Sequence, residues 1–444
     1  MKKALVLAGG GTKGVYQAGV IRALIDMGKD DWNMVFGTSV GALNAIMLVQ
    51  KDYAAFFDIY THLKAEDIIG GYIPYDISLN TIVNDRETLL NTAVSYFKDK
   101  GVDISPFEKQ VEEKFDPEKF FASDIDFGCI TATHPKHEPV YVTKEMMRER
   151  GKDWLIASAS AFPAFPVKVI DGHEYVDGGY FDNLPVDFAL RQGAEEVVAI
   201  DLRHAATHPG YRDRPRIDYI SPTQELPRFL EFDRGLLEHS FRIGYLDACK
   251  FYGKYDGYVY TFEKAELPAF FHKWYLEMLM LETRIKLASN ISERFRSRQH
   301  IRNKLLEDMD KTHLEYKDYF YGMMDHLMRI CGMDDAQVYV YEEARNRIVA
   351  EFADAVDKNY DNMPALQGIR DLADYARTLN TKGIIEKMIH ANFFPEHRIL
   401  TENMALTVYP FEQALADFVT CMMKELPEES ADGKSLIRKL LRKR

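Results

Sequence analysis

The chain has 444 residues, 46% of them hydrophobic and 28% charged, with a formal net charge of −13. That length is more than one ordinary domain, and the composition is that of a soluble globular protein with a substantial core. The negative balance argues against general nucleic-acid binding and opposes wholesale docking on anionic membranes, although a local basic patch escapes that argument.

In chain order, the start Met1-Lys2-Lys3 leads into an apolar run of five residues, 4–8. A secretory signal needs roughly 7–15 apolar residues, so a strand over 5–8 is expected instead. Nowhere do about 18 uninterrupted apolar residues occur, and no membrane-spanning helix is expected. Tyr16, Val20, Ala23, Leu24 and Met27 recur at steps of three to four, predicting a helix that Gly28 closes. Residues 34–36 predict a second strand and 40–50 a second helix. Strands over 125–133 and 139–143 follow, then a hairpin of 167–170 with 174–176 around Asp171-Gly172, and a buried strand over 196–202. The alternation predicts an α/β fold with a mainly parallel central sheet covered by helices. The Pro-, Arg- and Tyr-rich stretch 204–222 reads as a surface loop, and 258–262 as one more strand. Beyond about residue 268 helical periodicity dominates, as in 274–308 and 384–391. This predicts two regions, 1–267 and a mostly α-helical 268–444.

The last eleven residues, 434–444, carry six cations, no acid and four apolar residues at helical spacing. Such a tail suits peripheral contact with an anionic membrane, or equally a solvated tail or a helix docked on the protein's own acidic surface. Cys129, Cys249, Cys331 and Cys421 lie far apart with no CxxC pair, which suits reduced thiols in a cytoplasm or no disulfide role. A cytoplasmic location follows as the expectation.

Three loops carry the chemistry. Gly37-Thr38-Ser39-Val40-Gly41 matches the nucleophile elbow G-x-S-x-G, with a strand running in and a helix running out. The helix N-terminus offers partial positive charge and unpaired N–H groups to developing negative charge. Gly9-Gly10-Gly11-Thr12-Lys13-Gly14 fits the dinucleotide fingerprint G-x-G-x-x-G, but the acidic residue needed at the end of the second strand is absent there; Asp30 and Asp31 precede that strand. What remains is a loop of unhindered backbone N–H groups suited to an oxyanion. The third loop, Tyr175-Val176-Asp177-Gly178-Gly179-Tyr180, places Asp177 just after a strand. Singly, each has an ordinary reading: a glycine-rich turn with an incidental serine, or an Asp-Gly β-turn. Their joint occurrence in one order is harder to explain without catalysis.

Together these blocks, with the stretch from Ala157 to Pro163 and the run from Asp177 to Pro185, resemble the patatin-like phospholipase family over roughly residues 3–202. The resemblance implies a three-layer patatin-like fold and hydrolysis of lipid acyl esters of the phospholipase A or lysophospholipase kind, without metal or cofactor. It implies Ser39 as nucleophile, Asp177 as base and Gly9, Gly10, Gly11 and Thr12 as the oxyanion loop, with Lys13, Gly14, Gly37, Gly41, Gly178 and Gly179 supporting the turns. The helical region lies outside the resemblance. A free aspartate, with a pKa of about 3.9, is a poor base, so an apolar setting is required; Phe162, Phe165, Tyr180 and Phe181 are the expected sources. Two rivals stand beside this reading. One is a Ser-Asp-His triad of α/β-hydrolase type using His204 or His208. The other is a lipid- or partner-binding module on the same fold without turnover.

Overall fold

The computed structural model describes residues 1–70, 103–287, 301–357, 380–395 and 409–426. The basic tail 434–444 lies outside the described residues, as do parts of the predicted stretch 274–308. The chain divides into two units, Met1–Gly253 and Lys254–Arg444.

In the first unit the elements run β1 (Lys3–Leu7), α1 (Gly14–Asp26), β2 (Met34–Thr38), α2 (Val40–Val49), α3 (Tyr53–His62), α4 (Ser105–Lys114), α5 (Pro117–Ala122), β3 (Asp126–Thr133) and β4 (Pro139–Thr143). There follow α6 (Met147–Ser158), β5 (Lys168–Ile170), β6 (His173–Asp177), α7 (Val186–Arg191), β7 (Glu196–Ile200), β8 (Ile217–Ile220) and α8 (Arg234–Phe251). The sheet order is β5-β6-β3-β2-β1-β7-β8, with β4 also on β3. Pairs from β3 through β8 along this path are parallel, whereas β4, β5 and β6 join antiparallel, so the sheet is mixed. Its centre is covered on both faces: Ala4 to Leu7 and Met34 to Phe36 are all buried. That is why these strands read as continuous apolar runs rather than alternating ones.

Several elements depart from the expected pattern: α3 to α7 have no counterpart among the expected helices, and two more departures lie beyond β7. Within the stretch read as a loop, Ile217–Ile220 is strand β8, set parallel to β7 at the edge of the sheet. Its four residues, Ile-Asp-Tyr-Ile, are too few for a periodic signal, and pairing with β7 supplies what local sequence does not. The eighteen-residue α8 has no counterpart among the expected elements; it buries Leu237, Ile243 and Leu246 and packs along α1.

The second unit is mainly helical. Its described helices are α9 (Ala269–Leu287), α10 (Ile301–Asp308), α11 (Tyr316–Ile330), α12 (Tyr341–Phe352), α13 (Asp354–Asp357), α14 (Thr381–Phe393) and α15 (Pro410–Glu425). A small sheet joins Asp256–Gly257, Thr261–Phe262 and Val338–Tyr339, so the strand expected over 258–262 is two residues long. Phe271, Trp274 and Met278, spaced three and four apart on α9, are buried, and Trp274 meets Phe418 edge-on at 4.9 Å. Apolar burial along one helical stripe accounts for this core. Among the described residues no helix is long and apolar enough to cross a membrane.

Candidate active site

The elbow is built where β2 stops. Ser39 has φ 55° and ψ −126°, a conformation costly for a residue with a Cβ, by about 1–3 kcal/mol. Its carbonyl accepts the first bonds of α2, from the N–H groups of Ala42 and Leu43 at 2.9 and 3.2 Å. Its own N–H donates to the Ser158 hydroxyl at 3.1 Å. Gly41 allows this turn to press on β1: a Cβ there would lie 2.3 Å from the Leu7 carbonyl oxygen and 2.7 Å from that of Ala8. The serine therefore sits beside the loop that leaves β1.

That loop is Gly9 to Gly14. Gly9 is tied to Asn183 in both directions: its N–H donates to the Asn183 carbonyl at 3.0 Å and its carbonyl accepts from Asn183 Nδ2 at 2.9 Å. Gly9 also faces the serine, since a Cβ on it would stand 3.0 Å from Ser39 Cβ. Gly11, Thr12 and Lys13 form a 3-10 turn that feeds α1 at Gly14. Being first in a helical turn, the Gly11 and Thr12 amides have no intrahelical carbonyl to bond. The Thr12 hydroxyl donates to the Arg228 carbonyl and accepts from the Glu231 N–H, which fastens the 228–231 loop over the turn. Burial pulls the Lys13 ammonium pKa down, Glu225 opposes that and Arg203 adds to it.

The third loop arrives through sheet register. On β3, Ile130 stands opposite Thr38 and the next residue, Thr131, opposite Asp177. The ends of β2 and β6 thus flank β3, about 10 Å apart at the backbone, a gap that two side chains span. The Asp177 carboxylate accepts the Gly179 N–H at 2.7 Å and faces the Ser39 hydroxyl. The Asp177 N–H donates to the Ser160 carbonyl at 2.9 Å. Gly178 fits here because a Cβ would fall 2.2 Å from the Ile130 carbonyl oxygen. Burial pushes the Asp177 pKa up to about 6, against the pull of its bonds from Ser39 and Gly179.

Of the expected aromatics, Tyr180 lies close to the base: burial and then the nearby Asp177 carboxylate push its phenol pKa up. Phe162, Tyr180 and Phe181 are 40–50% exposed, and of the four expected aromatics Phe165 alone is buried. The segment from Ser158 to Ser160 is joined to the end of β6 through the Ser160 carbonyl, which accepts the Asp177 N–H. The histidines of the rival triad engage elsewhere: His204 Nδ1 with the Pro222 carbonyl at 3.0 Å, His208 Nε2 with Asp182 at 2.9 Å.

Ser39, Gly11 and Thr12 open on a cavity of about 480 Å³ walled by Leu43, Met47, Phe107, Val111, Phe165 and Phe229. Its size falls in the range of small-molecule sites. Beneath the elbow runs a buried polar chain that the sequence reading passed over. Tyr60 donates to Asn44 Oδ1 at 2.7 Å, Asn44 Nδ2 to Gln17 at 2.8 Å, and Gln17 to the Ala8 carbonyl at 2.8 Å. It links α3, α2 and α1 to the end of β1.

The family model described as Patatin-like phospholipase matches residues 5–190, a span that contains all three loops. The chain carries a patatin-like phospholipase domain. Among relatives of this domain, mouse patatin-like phospholipase domain-containing protein 7 is 31% identical over 206 residues, covering 45% of this chain and 13% of that protein. A lysophospholipase nte1 of Aspergillus terreus is 28% identical over 206 residues, covering 45% and 12%. The patatin-like region is thus a small part of these curated relatives' length. Among solved structures, VipD from Legionella pneumophila aligns over 97% of this chain and 93% of its own, at 14% identity and a TM-score of 0.36.

Proposed function

We propose that the chain hydrolyses lipid acyl esters through an acyl-serine intermediate, with Ser39 as nucleophile and Asp177 as its base. The observation that carries the reading is the convergence of a buried Asp177 carboxylate on the Ser39 hydroxyl, which opens on an apolar chamber. A carboxylate with a pKa near 6 is ionised at neutral pH yet basic enough to accept the serine proton. Ser39 Oγ attacks the ester carbonyl carbon as Asp177 takes its proton. The tetrahedral oxyanion forms beside the Gly9–Thr12 loop, where the amides of Gly10, Gly11 and Thr12 are the donors, the Gly9 amide being bonded to Asn183. Collapse expels the alcohol, which leaves with the proton from Asp177. Water then gives a proton to Asp177 and attacks the acyl-serine, freeing the acid and restoring the hydroxyl.

The apolar wall suits a fatty acyl chain, and the family match together with a relative named lysophospholipase supports a lipid substrate. Every residue used lies within the region 1–267, to which the chemistry is assigned. A fluorophosphonate probe tests the reading: it is expected to label the wild type at Ser39, and Ser39→Ala is expected neither to label nor to release fatty acid from a lipid panel. A folded wild type that does neither is a binding module.

A further inference from the structure

We infer that Ser158 is a positioning residue for the dyad, and that the short stretch from Ser158 to Ser160 sets the distance between nucleophile and base. This rests on the assignment of Ser39 and Asp177 above. Ser158 ends α6 and is fully buried. Its hydroxyl donates to the Ile130 carbonyl at 2.7 Å and accepts the Ser39 N–H at 3.1 Å. Two residues on, the Ser160 carbonyl accepts the Asp177 N–H at 2.9 Å, and the Ser160 hydroxyl donates to the Ile156 carbonyl at 2.8 Å, tying the stretch back to α6. One rigid helix end therefore grips the backbone of both reacting residues.

The need for such a grip follows from the elbow. At φ 55° the Ser39 amide has left the β2 ladder and is not yet part of α2, so the helix and the sheet each leave it without a carbonyl. Because the single hydroxyl proton of Ser158 is directed to Ile130, its lone pair is turned to the amide. Removing that acceptor leaves a buried N–H unpaired in an already strained turn. The turn then relaxes toward an ordinary backbone angle and carries Oγ away from Asp177. Ser158 touches no reacting atom, so substrate binding in the chamber is spared.

The test uses the full chain with a soluble p-nitrophenyl ester, each rate normalised to sites titrated by a fluorophosphonate. Ser158→Ala is expected to lower kcat about 10- to 100-fold with KM within about twofold, the loss associated with small misplacement of reacting groups. Ser158→Cys keeps the volume but offers a weak acceptor, and is expected to lose at least about fivefold in kcat; it serves if the alanine variant does not fold. A kcat equal to wild type in either folded variant, or a loss carried by KM, overturns the positioning role. A wild type that neither turns over nor labels overturns the functional reading itself, and the proposal with it; an active, labelled wild type with an unaffected Ser158 variant overturns the proposal alone.

Discussion

Asp177 and Asp201 both stand at the ends of strands in the first unit, and both are buried, 7% and 0% exposed. Their surroundings differ. Asp201, just beyond β7, accepts from the N–H groups of Leu202, Arg203 and Thr207 and from the hydroxyls of Thr207 and Tyr219. Asp177, ending β6, accepts one amide, that of Gly179, and faces the Ser39 hydroxyl; among the described residues no cation pairs with it. A carboxylate saturated with donors ties a loop to a sheet. One left short of them is held in a costly charged state and keeps an affinity for a proton, which is what a general base needs.

The contrast can be broken at several points. The largest expected effect is on turnover: Asp177→Asn and Ser39→Ala should each reduce kcat/KM by at least about 10⁴-fold in ester hydrolysis assays, as for members of a nucleophile–base unit. Near-wild-type turnover in either purified, folded variant removes that residue from the mechanism. At Asp201 the effect should fall on stability. Asp201→Ala leaves several buried donors without an acceptor and should cost at least about 3 kcal/mol in urea unfolding; a change below 1 kcal/mol would put Asp201 in the wrong class.

A pH dependence is expected of Asp177. Asp177 has a folded pKa raised from 3.8 to about 6, so its contribution to stability is complete below 3.8 and is lost as pH rises through 6. At about 1.4 kcal/mol per pH unit this amounts to about 3 kcal/mol. Asp177→Asn escapes that loss, and its unfolding free energy should gain up to this much on wild type between pH 4 and pH 8. A gap that stays constant with pH contradicts the burial argument. Over the same range kcat/KM of the wild type should fall on the acid side with a midpoint near 6. The smallest effect concerns the histidines: a His204→Ala/His208→Ala double variant should keep kcat/KM within about twofold, because both rings bond away from Ser39. A loss of several orders of magnitude would revive the triad.

The legible part of the protein is the part written in local patterns. The apolar runs of β1 and β2, the helices α1 and α2, the hairpin of β5 with β6 and the helical second unit each carry a period or a turn signal within a dozen residues. The three loops were legible for the same reason, since glycines beside a serine or an aspartate mark turns that bring backbones close. The degree of burial of the aromatics near Asp177 was not legible, because hydrophobicity states a preference and not an outcome: Phe165 is buried while Phe162, Tyr180 and Phe181 are 40–50% exposed.

By itself, then, the sequence determined the order β1, α1, β2, α2, the later strands through β7, and the identities of the residues at the turns. That Ser39 and Asp177, 138 positions apart by their numbers, come near one another was decided by the register of β2 and β6 on β3. So were the grip of Ser158 on the elbow, the tie from Asn183 to Gly9 and the polar chain from Tyr60 to Ala8. Each is a hydrogen bond between elements distant in the chain, and a side chain carries no mark of the partner that folding will bring to it.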